Sequence, residues 1–328
     1  MAIKKHLLIL LCFCFPLFAD KVITPPHQKD IPNPWFTGPL LAPSYSVVPL
    51  GSVNYEPYIE STVTTGGYDS HWKTQKASHP FCAYTLQPFI QIGLGYNLDI
   101  QIAPVLAYNY SHHQASWEFE DFPLIVDVQL FAPKVMNDWS PYVKLVLTET
   151  FPTGKYRNLN PKKRGSDSGG KGSFITQVGV VLGEMFRLSK RHFMDTRLLL
   201  QYTIPSAVKL KGFNSYGGGY GTRARLFPSQ SFEVDFAVEI LLAKRWAFAC
   251  DFVGAWNKKT HFSGNPGTNA DGTPAILGNK SGIQYSMAPA LEYNWSANLG
   301  VIGGCWFTFA GKNSAKFWNA IFAINYYQ

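Results

Sequence analysis

Residues 86–102 read LQPFIQIGLGYNLDIQI, and every second position is apolar on both sides of one short interruption. Leu86, Pro88, Ile90, Ile92 and Leu94 share one parity before it, and Leu98, Ile100 and Ile102 share one parity after it. A period of two is that of a strand with one apolar face. Gly95-Tyr96-Asn97 supplies turn residues between the runs, so the stretch predicts an antiparallel hairpin. The second strand runs on through Leu106, Tyr108 and Tyr110.

Working outward, the same alternation recurs twelve times. It begins with Val53, Tyr55, Pro57, Ile59 and Val63, with Ser52, Asn54, Glu56 and Glu60 between them. After the hairpin it returns over residues 122–130, 143–151, 174–182, 194–202, 232–240, 246–256, 285–295, 299–309 and 318–326. A tilted strand of ~9–11 residues crosses a bilayer, whereas a helix needs ~20 apolar residues, and beyond the N-terminus no such run occurs. The expected fold is therefore all-β: a transmembrane antiparallel β-barrel of about 12 strands. Its connections should alternate in length, as in bacterial barrels with tight periplasmic turns and long external loops. The expected external connections are 64–78, 111–119, 153–172, 206–229, 258–281 and 311–315. The expected periplasmic ones are 95–97, 132–140, 188–192, 243–244 and the junction near Ser296.

Residues 1–19 carry Lys4 and Lys5, an apolar run and a small residue, Ala19, before Asp20. This is the pattern of a cleaved secretory signal peptide, so the chain is expected to be exported to the outer membrane. Cleavage removes two of the charges that give the whole chain +8, leaving +6. Residues 20–51 hold Pro25, Pro26, Pro32, Pro34, Pro39, Pro43 and Pro49. That density excludes helix and ladder alike, and the segment is expected as a proline-rich periplasmic leader before a barrel over 52–328.

Charged residues make up only 15% of the chain, below the ~25% of ordinary soluble domains. The apolar parity should face lipid, where a midplane charge costs up to ~2–4 kcal/mol. Only Glu120, Glu149 and Glu184 share it, toward segment ends. Tyr108, Tyr110, Trp256, Tyr285 and Trp318 should form one interfacial girdle, and Trp246, Trp295 and Tyr326 the other. A soluble β-sandwich is the competing architecture, with the apolar parity buried in a core. Pro57, Pro88, Pro104, Pro123 and Pro289 fall inside segments, where each removes a ladder donor, so bulges or shortened strands are expected there. Cys82, Cys250 and Cys305 have neither metal spacing nor an even count; one bridge is allowed.

The opposite parity carries Glu56, Glu60, Asp99, Asp127, Glu233, Asp235, Glu239, Asp251 and Glu292, with fewer bases such as Lys144, Arg197 and Arg245. These are expected to face the lumen. An open lumen would then favour cations and neutral polar solutes; a plugged one would pair the acids with the bases. The external loops reverse the sign, with Lys155, Arg157, Lys162, Lys163, Arg164 and Lys171 in one and Lys209, Lys211, Arg223 and Arg225 in the next. Such a basic rim could attract lipopolysaccharide phosphates or anionic solutes, or simply keep the loops solvated. No nucleic-acid module surrounds it.

Gly165 to Lys171 approaches a phosphate loop, but Gly172 stands where a hydroxyl should hold magnesium, and it reads as loop, as does the Gly-rich 216–221. Ser111, Ser116, His112 and His113 cluster without the spacing that specifies nucleophile, base and orienting group. The chain is therefore read as a non-enzyme with no cofactor and no metal site. Residues 95–102 (GYNLDIQI), 122–131 and 143–155 (VKLVLTETFPTGK) resemble segments of outer-membrane barrels of the meta-pathway of phenol degradation, a family regarded as transporters. That resemblance implies small-molecule passage and brings no catalytic residues. The chain departs from the wider barrel pattern at its end, Tyr326-Tyr327-Gln328, where a terminal Phe commonly addresses the assembly machinery.

The leading expectation is thus an outer-membrane channel or transporter with passive passage through an acidic lumen. Its expected partners are outer-membrane lipids, lipopolysaccharide, a small solute and the assembly machinery. The alternatives are a surface structural or adhesive barrel working through its basic loops, and an outer-membrane hydrolase.

Overall fold

The structure, a computed structural model, describes residues 34–133, 140–189 and 192–328. Residues 1–19, expected as a signal peptide, residues 20–33 of the expected leader, and parts of the 132–140 and 188–192 connections lie outside the described residues. Among the described residues seventeen strands run in chain order. They are β1 (Val53–Tyr68), β2 (Thr74–Gly95), β3 (Leu98–Ile102), β4 (Leu106–Ser111), β5 (Gln114–Phe119), β6 (Phe122–Phe131), β7 (Tyr142–Phe151), β8 (Ile175–Arg187) and β9 (Phe193–Pro205). There follow β10 (Val208–Lys211), β11 (Arg223–Phe227), β12 (Ser231–Ala243), β13 (Trp246–Asn257), β14 (His261–Asn265), β15 (Gly282–Asn294), β16 (Leu299–Lys312) and β17 (Ser314–Tyr327).

Fourteen of these form one antiparallel sheet that closes on itself, because β1 pairs with β2 on one side and with β17 on the other. The closing register sets Tyr55 against Tyr326 and Thr62 against Asn319. Two wall strands are each in two pieces. β3 and β4 are parted at 103–105 and both pair with β2, while β5 and β6 are parted at 120–121 and pair with β4 and β3 respectively. Counted by wall position, the barrel has twelve strands. Closure is what a bilayer demands, since an open edge would leave N–H and C=O groups without partners in hydrocarbon.

The two faces of the wall exclude a soluble sandwich. Ile59, Leu86, Phe236, Phe252, Leu291 and Phe322 are exposed on the outside, while Asp99, Asp127, Lys144, Asp251 and Glu292 are fully buried within. A water-soluble protein has the reverse arrangement. Aromatic rings gather where the apolar band should meet the interface. Trp72, Tyr285 and Trp256 form a chain of contacts toward the long-loop end, and Trp246, Tyr293 and Trp295 form one at the short-turn end.

Of the bulges or shortened strands expected at the prolines, the structure shows interrupted ladders and no bulge at Pro57, Pro88 and Pro104. Pro57 and Pro88 oppose each other across β1 and β2. The ladders on their far sides skip these positions, from Tyr55 to Tyr58 against β17 and from Leu86 to Ile90 against β4 and β3. Two residues without N–H groups thus share one gap in hydrogen bonding. Pro104 lies in the break between β3 and β4, whereas the bulges fall elsewhere, as between Gln129 and Phe131. Cys82, Cys250 and Cys305 are all free, so the bridge allowed by sequence is not made.

The connections depart from expectation at the long-loop end. The first is only 69–73, because both flanking strands run past the apolar band. Residues 111–119 mostly form the β4–β5 hairpin, turned at His112 and His113, which both take positive φ (49° and 61°). Tyr96 and Asn97 do the same at the other end (52° and 60°), the geometry that matches hairpin twist. Residues 206–229 and 258–281, expected as loops, contain β10, β11 and β14, which form a separate three-stranded sheet.

The leader also departs from expectation. Residues 34–49 do not stand apart as a periplasmic leader but pass through the barrel interior, with Leu40, Ala42 and Val48 buried. Leu40 packs with Ala249, Ala288, Ala290, Ile302, Ile321 and Ala323, small and apolar inward residues of β13, β15, β16 and β17.

Candidate functional site

The leader's path follows from its backbone. Prolines at 34, 39, 43 and 49 keep it out of helix and ladder, it bends at 40–42 and 45–46, and a segment pairing with no strand leaves N–H groups that must find acceptors once buried. Carboxylates on the wall supply them. Thr37 N–H donates to Glu292 Oε2 (2.6 Å) and Val48 N–H to Asp99 Oδ2 (2.8 Å). The N–H groups of Leu40, Leu41 and Ala42 all donate to Asp251 (3.2, 3.3 and 3.0 Å). Tyr45 O–H donates to Asp195 Oδ1 (2.9 Å), and Gln129 accepts from Val47 N–H and donates to Tyr45 C=O. The acceptors stand on β15, β3, β13, β9 and β6, so the segment spans the interior from wall to wall.

Two glycines make its fit possible. Gly38 has φ +114°, and a Cβ there would press on the Arg197 guanidinium. A Cβ at Gly183 of β8 would run into the Tyr45 ring.

Two of the three bases expected in the lumen complete this layer, whereas Arg245 lies exposed in the β12–β13 turn and donates to Tyr293 Oη (3.3 Å). Lys144 Nζ lies 2.6 Å from Asp127 Oδ2, with both side chains fully buried, and Gln101 donates to the same oxygen. Arg197 reaches Glu239 (3.0 Å), Asp195 (3.4 Å) and the carbonyl of Ala42 (3.3 Å). Removing either base would strand a buried charge, which costs ~3–5 kcal/mol. Asp235, Asp99 and Glu292 each turn one carboxylate oxygen away from the protein donors described. Of the other acids singled out in the sequence, Glu56 accepts from Tyr58 O–H and Glu60 from Asn319. Glu233 stands half-buried on β12, two residues before Asp235.

Nearly all of these groups lie toward the short-turn end. The long-loop end holds a cavity of about 570 Å³, whose lining includes Asn109, Glu120, Thr150, Lys171, Asn214 and Ser215. Glu120, placed by parity on the lipid face, lines this cavity instead, because the chain leaves the ladder between β5 and β6. Asp121 anchors the loop above, accepting from the N–H groups of Gly154 (2.9 Å) and Lys171 (2.7 Å).

The ten bases expected as one external rim divide into two sets. Lys155 pairs with Asp167 (2.6 Å), and Lys163 donates to the Ala115 carbonyl (2.6 Å) within a helical turn that also contains Lys162 and ends at Arg164. Arg157 stacks on Tyr156, and Lys171 is held by its backbone. Lys209, Lys211, Arg223 and Arg225 are instead exposed on the three-stranded sheet. Ser111 Oγ lies 2.9 Å from His112 Nδ1, and among the described residues no carboxylate hydrogen-bonds that ring.

Sequence reasoning missed Tyr45, Gln129, Asp195 and Asp121. Asp195 was in reach, since it has the inward parity of β9. Tyr45 carried no signal, because nothing in a proline-rich stretch says which wall it will meet.

No protein-family model and no curated protein sequence matches this chain. Solved structures do. An outer membrane channel from Pseudomonas putida F1 aligns over 87% of this chain and 98% of its own, with TM-score 0.64 and 12% identity. The translocator domain of the autotransporter NalP from Neisseria meningitidis aligns over 84% and 87%, with TM-score 0.46 and 9% identity. The transport unit of the autotransporter AIDA-I from Escherichia coli aligns over 84% and 90%, with TM-score 0.43 and 9% identity. The protein is thus a β-barrel of the outer-membrane class, twelve strands round, and the first of these likenesses is one of fold.

Proposed function

We propose that the chain is an outer-membrane channel for small molecules, with passive passage restricted by its own residues 34–49. The observation that carries this reading is the division of the interior into a polar cavity at the long-loop end and a hydrogen-bonded plug at the other. The fold shared with the Pseudomonas channel supports it, as does the segment-level resemblance to the phenol meta-pathway barrels. A solute would enter the cavity, pass Glu60, Glu233 and Asp235, and meet the plug near Asp251. The excess of inward acids over inward bases supports a preference for cations and neutral polar solutes over anions. Release through the plug needs its N–H groups to leave their carboxylates, so openings should be infrequent.

Liposome swelling tests the reading. Vesicles containing the refolded protein should swell in small neutral polar solutes and in small cationic amines, and more slowly in anions of equal size. Rates equal to those of protein-free vesicles for every solute would remove the channel reading.

A further inference from the structure

We propose that the outward face of the three-stranded sheet is a binding surface for phosphorylated glycolipid of the outer leaflet. This rests on the barrel's seat in the outer membrane and not on channel activity. The sheet order β10-β11-β14 repeats the wall order β9-β12-β13 beneath it, so the sheet is an upward continuation of that wall sector. Its inner face is fixed by Val208, Leu210, Ala224 and Leu226, which are buried with Leu277 and packed against Tyr156 and Tyr216 of the loops over the barrel mouth. Alternation then turns Lys209, Lys211, Arg223 and Arg225 away from the barrel axis, and all four are exposed.

The register makes this face unusual. Lys209 stands directly opposite Arg225, and Lys211 opposite Arg223. Like charges facing each other across strands are destabilising, and here two such pairs are adjacent. The third strand offers no relief, since Arg225 and Arg223 face Ser263 and Asn265 on β14. No Asp or Glu occurs anywhere in 206–232 or 252–270. The repulsion has no neutralising partner within these segments, so the complementary charge is supplied from outside.

The position selects that source. Below the sheet the same wall sector carries aromatic residues of the outer interface, with Phe232 stacked near Trp256. Lys258 is bonded to Tyr202 O–H (3.0 Å) among them. Arg225 lies over Phe227, an exposed ring at the base of the sheet. A surface that is apolar below and cationic above, facing outward beside the lipid, matches a molecule with acyl chains below and phosphates above. The guanidiniums of Arg223 and Arg225 suit bidentate phosphate contact, with the lysines as additional point charges.

The test compares the full-length refolded protein with the variant Lys209→Gln, Lys211→Gln, Arg223→Gln, Arg225→Gln. Affinities are measured in detergent for bisphosphorylated lipid A, its dephosphorylated form, and inorganic phosphate. The wild type should bind bisphosphorylated lipid A at least about tenfold more tightly than the variant does, as expected when four basic groups near an anionic surface are neutralised. Both proteins should bind the dephosphorylated lipid equally, and inorganic phosphate should bind neither measurably. Equal affinity of the two proteins for the bisphosphorylated lipid, or a wild type indifferent to the phosphates, would overturn the proposal. Inorganic phosphate binding as tight as the lipid would overturn it in favour of a free-anion site. The gel shift between unboiled and boiled samples confirms folding. Should the fourfold variant not fold, Lys209→Gln with Arg225→Gln removes one like-charge pair and should weaken lipid binding about threefold.

Discussion

The two ends of the barrel interior solve the same problem by opposite means. At the short-turn end, buried carboxylates take up Lys144, Arg197 and the backbone N–H groups of residues 34–49. At the long-loop end, polar groups line a cavity, and loops anchored by Asp121 arch above it. Charge in the first region is structural, because each group has lost water and depends on one or two partners. In the second, side chains such as Lys171 are exposed, so that the loss of one such charge should matter less to stability.

That contrast can be broken by substitution. Lys144→Met should be the most damaging change, lowering stability by ~3–5 kcal/mol through the stranded carboxylate of Asp127. Lys171→Met at the other end should stay within ~0.5 kcal/mol. Urea titration of the gel-shifted folded form reads both, and equal effects would erase the distinction between the ends. Asp251→Ala comes next, since it deprives three backbone N–H groups of their acceptor at ~1–3 kcal/mol for each donor left buried. The segment should detach rather than bear that cost, appearing as new protease cleavage within 34–49. Asp251→Asn, which keeps one acceptor oxygen, should be cut more slowly.

Smaller effects sharpen the comparison. Tyr45→Phe removes one donor to Asp195 and should loosen the plug by about 1 kcal/mol, visible as a modest rise in the same cleavage rate. The least effect is expected outside the membrane, at the β1–β2 turn. There Asp69 accepts from the N–H groups of His71 (2.7 Å) and Lys73 (3.0 Å). These bonds, the Lys73 one foremost, hold its carboxyl below the usual range. A carboxylate with a depressed folded pKa contributes above its unfolded value and is lost only as pH falls through the folded one. Protection of the two amides against exchange should therefore persist at neutral pH and through the ordinary carboxylate range of about 4, and fail only below it. Loss of protection already above that range would contradict the assignment.

Much of the wall was legible because a lipid-facing strand must alternate, and residues 86–102 already display the rule. The hairpin turn at Tyr96-Asn97 and the inward parity of Asp99, Asp127 and Asp251 are written in adjacent residues. Val208-Lys209-Leu210-Lys211 and Arg223-Ala224-Arg225-Leu226 alternate as plainly, but they are shorter than a membrane crossing and so read as loop. Residues 34–49 were illegible for a deeper reason. Most of their contacts are made by backbone N–H groups, which every residue but proline possesses, and the acceptors lie up to 255 positions away in Glu292. A period can announce a strand, but it cannot announce which carboxylate such a segment will find.

Single-channel recording with and without residues 34–50 tests the central claim most directly. The intact protein should show small and infrequent conductance steps, and the deletion variant, shown by gel shift to be folded, should show steps several-fold larger with cation selectivity retained. Equal conductance in the two proteins, or none in either, would contradict a lumen closed by its own leader.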